Sequence, residues 1–253
     1  MYAPERHQAI LAIARRDGRV EVKNLADSFD VTPETIRRDL TLMERRGLVQ
    51  RAHGGAIPAE RLGVEPSVAA REAILANEKL NIARAALAEL PDGGSIILDA
   101  GTTTVQLASL LPADIELTVV TNSITVATML TTKPNVELHL LGGHVRNRTL
   151  AAVGPWTADA LAGVSVDVAF MGINGITVER GLTTPDIDEA RVKAALIASA
   201  RRTVVLADHT KFGRQDFATV APLSVVDTIV TDSGIDPELS LELELAGIDV
   251  VIA

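Results

Sequence analysis

Two sets of side chains in this chain are spaced to do chemistry. The first lies on residues 32–46. On a 3.6-residue period Ile36, Leu40 and Met43 form one apolar stripe, and Glu34, Arg37, Arg38, Thr41, Glu44 and Arg45 fall on the opposite arc. Thr35 opens that arc, and Arg51, His53 and Gly54 follow closely behind it. A helix fixed to a core on one side, with guanidinium and hydroxyl groups on the other, suits contact with the phosphates and base edges of duplex DNA. The competing reading is an ordinary solvated helix face. The second set is six short polar segments, most of them carrying glycine, each following or closing an apolar run. They are Asp99-Ala100-Gly101-Thr102-Thr103-Thr104, Thr121-Asn122-Ser123, Gly142-Gly143-His144 with Arg146 and Arg148 beyond, Gly172-Ile173-Asn174-Gly175, Gly181-Leu182-Thr183-Thr184 ahead of Glu189 and Lys193, and Asp208-His209-Thr210-Lys211. Glycine allows close backbone approach, and hydroxyls beside the free N–H groups of a helix start make an anion site. The Gly-Lys-Ser/Thr ending of a P-loop is absent, which argues against a nucleoside triphosphate. Any one segment could be a plain turn. Six of them together point to a polyhydroxylated, phosphorylated ligand.

The elements that must position these groups are legible in the spacing. Thr32 is an N-cap candidate and Pro33 suits the first helical position, where its missing N–H costs nothing. Upstream, residues 5–16 have the pattern of a first helix, Val20-Glu21-Val22 of a short strand, and residues 24–29 of a second helix. Leu48 to His53 with Gly54-Gly55 would form a wing. That order is a winged helix-turn-helix. Pro58, Gly63 and Pro66 break any period, so residues 1–57 are expected to be the DNA-binding domain and 58–67 a linker. Residues 68–253 form the third part, opening with one helix over 68–90. Apolar strands are expected at 95–98, 117–121, 136–141, 167–171, 202–207, 228–231 and 248–252, mostly with helices between them. Short apolar strands alternating with helices predict an α/β domain with a mostly parallel sheet covered on both faces. In such sheets ligands bind at the carboxyl ends of the strands, where the polar segments lie.

Composition bounds the readings. The 253 residues carry a net charge of −9, which taken alone opposes a nucleic-acid partner. Residues 1–58, however, hold ten Lys or Arg against eight Asp or Glu, a net of +2, which leaves −11 for the remainder. The acidity therefore belongs to the second domain and does not veto DNA binding by the first. The absence of cysteine excludes disulfides and thiolate-held clusters. His7, His139, His144 and His209 show no metal-ligand spacing, so no metal and no other cofactor is expected. No secretory signal and no apolar run of membrane-spanning length are evident, and a cytoplasmic location with no membrane partner is expected. An aromatic content of 2% disfavours single-strand stacking and leaves double-stranded DNA as the target. Trp156, the sole tryptophan, is assigned to core or interface.

Thr35-Ile36-Arg37-Arg38-Asp39-Leu40, with Gly47-Leu48 and Arg51-Ala52-His53-Gly54-Gly55-Ala56 behind it, resembles the DeoR family of bacterial transcriptional regulators. The polar loops match that family's effector domain, so the resemblance covers nearly the whole chain. It implies a domain similar to the ribose-5-phosphate isomerase and glucosamine-6-phosphate deaminase fold that senses phosphorylated sugars. By that resemblance Gly101, Thr102, Thr103 and Thr104 hold the phosphate, and Asp99, Asn122, Gly143, Asn174, Glu189, Asp208 and Lys211 line the sugar. Thr121, Gly142, Arg146, Gly172, Gly175 and Thr183 complete the expected effector site. Lys193 could equally be a salt-bridge partner for Glu189, and Asp208 with Lys211 a stabilising ion pair. The opening residues 1–6, the segment Ile57–Gly63 and Glu179–Pro185 are similar to actinobacterial members associated with fructose operons. That implies repression of fructose uptake and phosphorylation genes, with fructose 1-phosphate as effector. A homodimer or homotetramer reading paired half-sites is expected, because one winged helix makes few base contacts. Sensing without turnover is expected, so no residue is assigned as catalytic. The alternatives are a sugar-phosphate isomerase or deaminase with an accessory DNA-binding module, where Asp99, Glu189 or Asp208 would move the proton, and a protein–protein adaptor.

Overall fold

The computed structural model of the protein describes residues 2–52, 54–59 and 65–253, so His53 and residues 60–64 of the expected linker lie outside the described residues. The chain divides into two compact units, Met1–Ile74 and Leu75–Ala253.

The first unit runs α1 (Ala3–Asp17), β1 (Val20–Glu21), α2 (Val22–Phe29), α3 (Pro33–Arg45), β2 (Val49–Ala52), β3 (Gly55–Pro58) and α4 (Val68–Glu72). Its three strands pair antiparallel in the order β1-β3-β2, with Arg51 opposite Ala56. The Thr32 hydroxyl accepts the Thr35 N–H at 3.2 Å and starts α3 behind Pro33. Asp30 ends α2 in the left-handed region, a conformation its short polar side chain tolerates, and so turns the chain tightly into α3. Ile10, Leu25, Ile36, Leu40 and Met43 form the centre of the core, which fixes one side of α3. The strand expected at 20–22 is two residues long, because Val22 turns inward as the first residue of α2.

The second unit contains α5 (Ala76–Ala85), β4 (Gly94–Leu98), α6 (Thr102–Leu110), β5 (Leu117–Thr121), α7 (Ile124–Leu130), β6 (Val136–Leu140), β7 (His144–Arg146), β8 (Ala151–Val153), α8 (Pro155–Ala160), β9 (Val166–Gly172), β10 (Gly175–Thr177), β11 (Gly181–Thr184), α9 (Ile187–Ala198), β12 (Ala200–Leu206), β13 (Ala218–Ala221), β14 (Thr228–Thr231), α10 (Pro237–Leu245) and β15 (Asp249–Ile252). Seven strands form one sheet in the order β15-β14-β12-β9-β4-β5-β6, and every neighbouring pair is parallel. Two apolar clusters cover its faces, one around Ile97, Met171, Val205 and Leu196, the other around Ile96, Leu98, Phe170 and Leu107. The central strands β4, β5, β9, β12 and β14 are thus largely buried on both sides, whereas the edge strands β6 and β15 are only partly buried. Strand order reverses between β4 and β9, which opens a crevice at their carboxyl ends. Among the described residues no helix is long and apolar enough to cross a membrane.

Two expectations change here. The single helix over 68–90 is broken into α4, α5 and a 3-10 turn at Ala86–Glu89, with Leu75 in the left-handed region between α4 and α5. Ala70 packs in the core of the first unit, so the division falls at 74/75 instead of 67/68. The antiparallel sheet β10-β11-β13 and the hairpin β7-β8 were not expected, because three- and four-residue strands carry too little alternation to register in the sequence.

Candidate nucleic-acid interface and effector site

In the first unit, Arg37, Arg38 and Arg45 are exposed on α3, and Thr35 and Thr41 are half-buried between them. Glu34, Arg37, Arg38, Thr41, Leu42 and Arg45 line one shallow depression. Arg37 pairs with Glu34 at 3.0 Å, whereas Arg38 and Arg45 have no hydrogen bond or ion pair among the described residues. Arg51 is placed differently from a phosphate-contacting wing residue. Its Nη1 donates to the Thr41 hydroxyl at 2.9 Å, its backbone N–H donates to Glu44 Oε1 at 2.8 Å, and Thr41 in turn donates to the Arg37 carbonyl at 2.8 Å. The guanidinium folds onto α3 because the strand carrying it packs directly against that helix, and it braces the wing. Gly54 is exposed at the wing turn.

Sequence reasoning missed what holds α3 from behind. Asp39, between Arg38 and Leu40, is buried and accepts from Arg6 Nε at 2.6 Å, Arg6 Nη2 at 3.2 Å and His7 Nε2 at 2.9 Å. Burial works to raise the Asp39 carboxyl, but the hydrogen bonds from Arg6 and His7 outweigh it and hold it below the usual carboxylate range. The available signal was the placement of Asp39 on the apolar stripe of α3, three residues from Ile36 and four from Met43.

In the second unit the loops following β4, β5, β9 and β12 open at the carboxyl end of the parallel sheet. Gly101 and Gly172 approach so closely that a Cβ on Gly172 would lie 3.5 Å from the Gly101 Cα, which brings the loops of β4 and β9 together at the strand-order reversal. Asp99 is fully buried. Its Oδ2 accepts the Gly172 N–H at 3.1 Å and pairs with the Lys193 ammonium. Lys193 also donates to the Gly172 carbonyl at 2.9 Å and faces Glu189 at 3.7 Å. Glu189 continues to Arg146 on β7, and Arg146 reaches Asp186 at 3.3 Å. The result is a chain of alternating charge, Asp99, Lys193, Glu189, Arg146 and Asp186, across the crevice. Lys193, for which the sequence left a salt bridge to Glu189 and a place in the site equally open, is at its centre.

Thr102 and Thr103 begin α6, and no residue described here engages their hydroxyls. Thr104 is different: its hydroxyl donates to the carbonyls of Asp99 at 2.6 Å and Gly101 at 2.9 Å. Thr121 likewise donates to the Leu98 carbonyl at 2.6 Å and Thr183 to the Gly175 carbonyl at 3.3 Å. These three threonines stitch the loops from inside, because a fully buried hydroxyl takes the nearest carbonyl. Asn122 is tied to the Ala152 carbonyl at 3.2 Å, and Asn174 accepts from Thr184 at 3.1 Å. The Gly142 carbonyl accepts from Thr157 at 2.8 Å; a Cβ on Gly143 would lie 2.0 Å from that same hydroxyl, so only glycine fits there. Asp208 is buried, accepts the Thr210 N–H at 3.1 Å and faces Lys211 at 3.6 Å. Burial opposes ionisation of Asp208, but Lys211, Thr210 and Lys79 overcome that and hold its carboxyl below the ordinary range. A second depression at the amino ends of β4 to β6 presents Glu116 and Glu137 and is ill-suited to an anion.

Comparisons with known proteins bear on both units. Residues 6–61 match the model of the DeoR-like helix-turn-helix domain, and residues 75–233 that of the DeoR C terminal sensor domain. The chain is 39% identical to the HTH-type transcriptional regulator GlpR of Haloferax volcanii over 98% of this chain and 97% of that one. It is 35% identical to a putative aga operon transcriptional repressor of Escherichia coli O157:H7, covering 98% and 93% of the two chains. Identity to an uncharacterized regulator named FruR in Bacillus subtilis is 36%, covering 92% of each. Among solved structures, ribose 5-phosphate isomerase A of Methanocaldococcus jannaschii aligns over 53% of each chain at 20% identity, with a TM-score of 0.39.

Proposed function

The chain belongs to the DeoR family of transcriptional regulators, and from that premise we propose that it represses genes of fructose uptake and catabolism and is released by a phosphorylated sugar. It is a DNA-binding regulator with a sensor domain, and its relatives are regulators rather than enzymes. In the proposed reading the exposed Arg38 and Arg45 meet duplex DNA in the major groove, with Thr35, Arg37 and Thr41 alongside. The wing, with His53 and Gly54, lies on the flanking backbone, and Arg51 braces it against α3. Fructose 1-phosphate is the proposed effector, supported by the residues 1–6, 57–63 and 179–185 that resemble fructose-operon regulators.

The observation that carries the sensor half is the free start of α6 at the strand-order reversal. The Thr102 and Thr103 hydroxyls have no partner among the described residues, and Gly101 at the cap packs against Gly172; free N–H groups and hydroxyls at a helix start suit a phosphate. Asp99, Asn122, Asn174, Glu189 and Arg146 supply the polar surroundings for sugar hydroxyls. The protein would act as a homodimer or homotetramer in the cytoplasm, and the effector would change DNA affinity only by favouring one arrangement of the paired heads over another.

Thr102→Ala combined with Thr103→Ala tests the reading. The double variant should bind operator like the wild type without ligand but fail to release it when fructose 1-phosphate is added, measured by fluorescence anisotropy of labelled operator. Normal release by the double variant would remove the phosphate from this loop.

A further inference from the structure

Glu34 is the carboxylate that α3 turns fully outward. Of the three acidic side chains on this helix, Asp39 is buried against Arg6 and His7, and Glu44 accepts the Arg51 backbone N–H at 2.8 Å. Glu34 stands two residues after the Thr32 cap with its side chain 78% exposed, and it lines one shallow depression with Arg37, Arg38, Thr41 and Arg45. Arg37 Nη1 donates to Glu34 Oε2 at 3.0 Å, and the Arg37 side chain is itself 53% exposed. An ion pair this open contributes little to stability. A carboxylate in the first turn also favours the helix dipole, to a small extent. Neither effect requires the group to sit amid the guanidiniums offered to DNA, where phosphates repel it.

Together the two side chains form a row of hydrogen-bonding groups. A guanidinium is a planar fork of donors, and a carboxylate is an acceptor only. With Nη1 on Glu34, the Nε and Nη2 edge of Arg37 has no partner among the described residues. Their spacing puts both on one face of the helix start. The row from Arg37 to Glu34 is therefore donor, donor, acceptor. In the major groove a G·C pair presents the complement: guanine N7 and O6 as acceptors, then the cytosine N4 amino group as donor. An A·T pair presents acceptor, donor, acceptor, which sets the adenine amino group against the guanidinium and thymine O4 against the carboxylate.

We propose that Glu34 is a base-reading residue and that with Arg37 it selects one G·C pair in each operator half-site. The carboxylate accepts from the cytosine N4 amino group while the Arg37 fork donates to guanine O6 and N7. The N-terminal residues of a recognition helix are those that reach base edges, and both side chains belong to the opening turns of α3. A thymine or guanine at the cytosine position would turn O4 or O6 toward the carboxylate, acceptor against acceptor. Glu34 thus rejects wrong sequences as well as accepting the right one. The inference rests on the reading that α3 lies in the major groove.

Selection of bound duplexes from a randomised double-stranded DNA library by the full chain, followed by sequencing, tests it. At one position of the half-site the wild type should prefer G·C over the other pairs by about tenfold. Glu34→Gln offers a donor as well as an acceptor in the same place, so that preference should fall below about threefold while the remaining positions keep theirs. Glu34→Ala should do the same. Unchanged base preference in both variants, whatever happens to overall affinity, overturns the inference and leaves Glu34 as a helix-start charge. If neither variant folds, the wild type is titrated with a selected duplex carrying N4-methylcytosine at each cytosine in turn, where the methyl replaces the groove-facing N–H. Binding about tenfold weaker at one cytosine supports the proposal, and unchanged binding at all of them overturns it. A wild type that retains duplexes with no base preference at all overturns the major-groove reading of α3 as well.

Discussion

Arg38 and Arg51 stand a short distance apart in the first unit and do different work. Arg38 projects from α3 with no partner among the described residues, and Arg38→Ala should weaken operator binding by about 1–3 kcal/mol with effector affinity intact. Unchanged operator affinity at physiological salt would remove α3 from the groove. Arg51 is bonded to Thr41 on α3. Arg51→Met should therefore reduce operator affinity about tenfold while leaving the slope of log K against log salt unchanged. A slope reduced by about 1 would instead make Arg51 a phosphate contact.

At the level of elements, α1 and α3 are joined by the Arg6–His7–Asp39 cluster. Removing the carboxylate strands a buried guanidinium, so Asp39→Ala should cost the first unit about 3 kcal/mol, read as a lower midpoint in urea unfolding of the full chain. The pH dependence follows from the depressed Asp39 carboxyl. Its contribution is fully present above the unfolded-state carboxylate pKa and is lost as pH falls through the lower folded-state value. Unfolding midpoints measured across the acid range should show this loss in the wild type and not in Asp39→Ala. The loops of the second unit have their own internal fastening. Thr104→Ala should lower the thermal midpoint, because the Asp99 and Gly101 carbonyls lose their donor.

For the whole molecule, the proposal that effector and operator oppose each other has a reciprocal consequence. If a sugar phosphate lowers operator affinity by some factor, operator DNA must lower sugar-phosphate affinity by the same factor. Calorimetric titration of the effector with and without operator would measure both sides, and equal effector affinities would exclude the coupling. Light scattering on the free chain should give a mass at least twice that of one 26.8 kDa chain if paired heads read paired half-sites.

The sequence by itself determined the arginine-bearing helix α3, its cap and all seven strands of the parallel sheet. These depend on local rules: a 3.6-residue stripe, Thr32 before Pro33, and short runs rich in apolar residues, buried on both faces in the central strands. It also located most of the polar loops, since parallel strands place their carboxyl ends together whatever their order. Tertiary structure alone decided which groups in those loops meet. The reversal of strand order between β4 and β9 brings Asp99, Gly172 and Lys193 together from positions 73 and 94 residues apart, and no local pattern encodes that distance. It also turned Thr104, Thr121 and Thr183 inward and folded Arg51 onto α3. Each of these depends on which carbonyl, carboxylate or hydroxyl the folded chain puts within reach of a side chain.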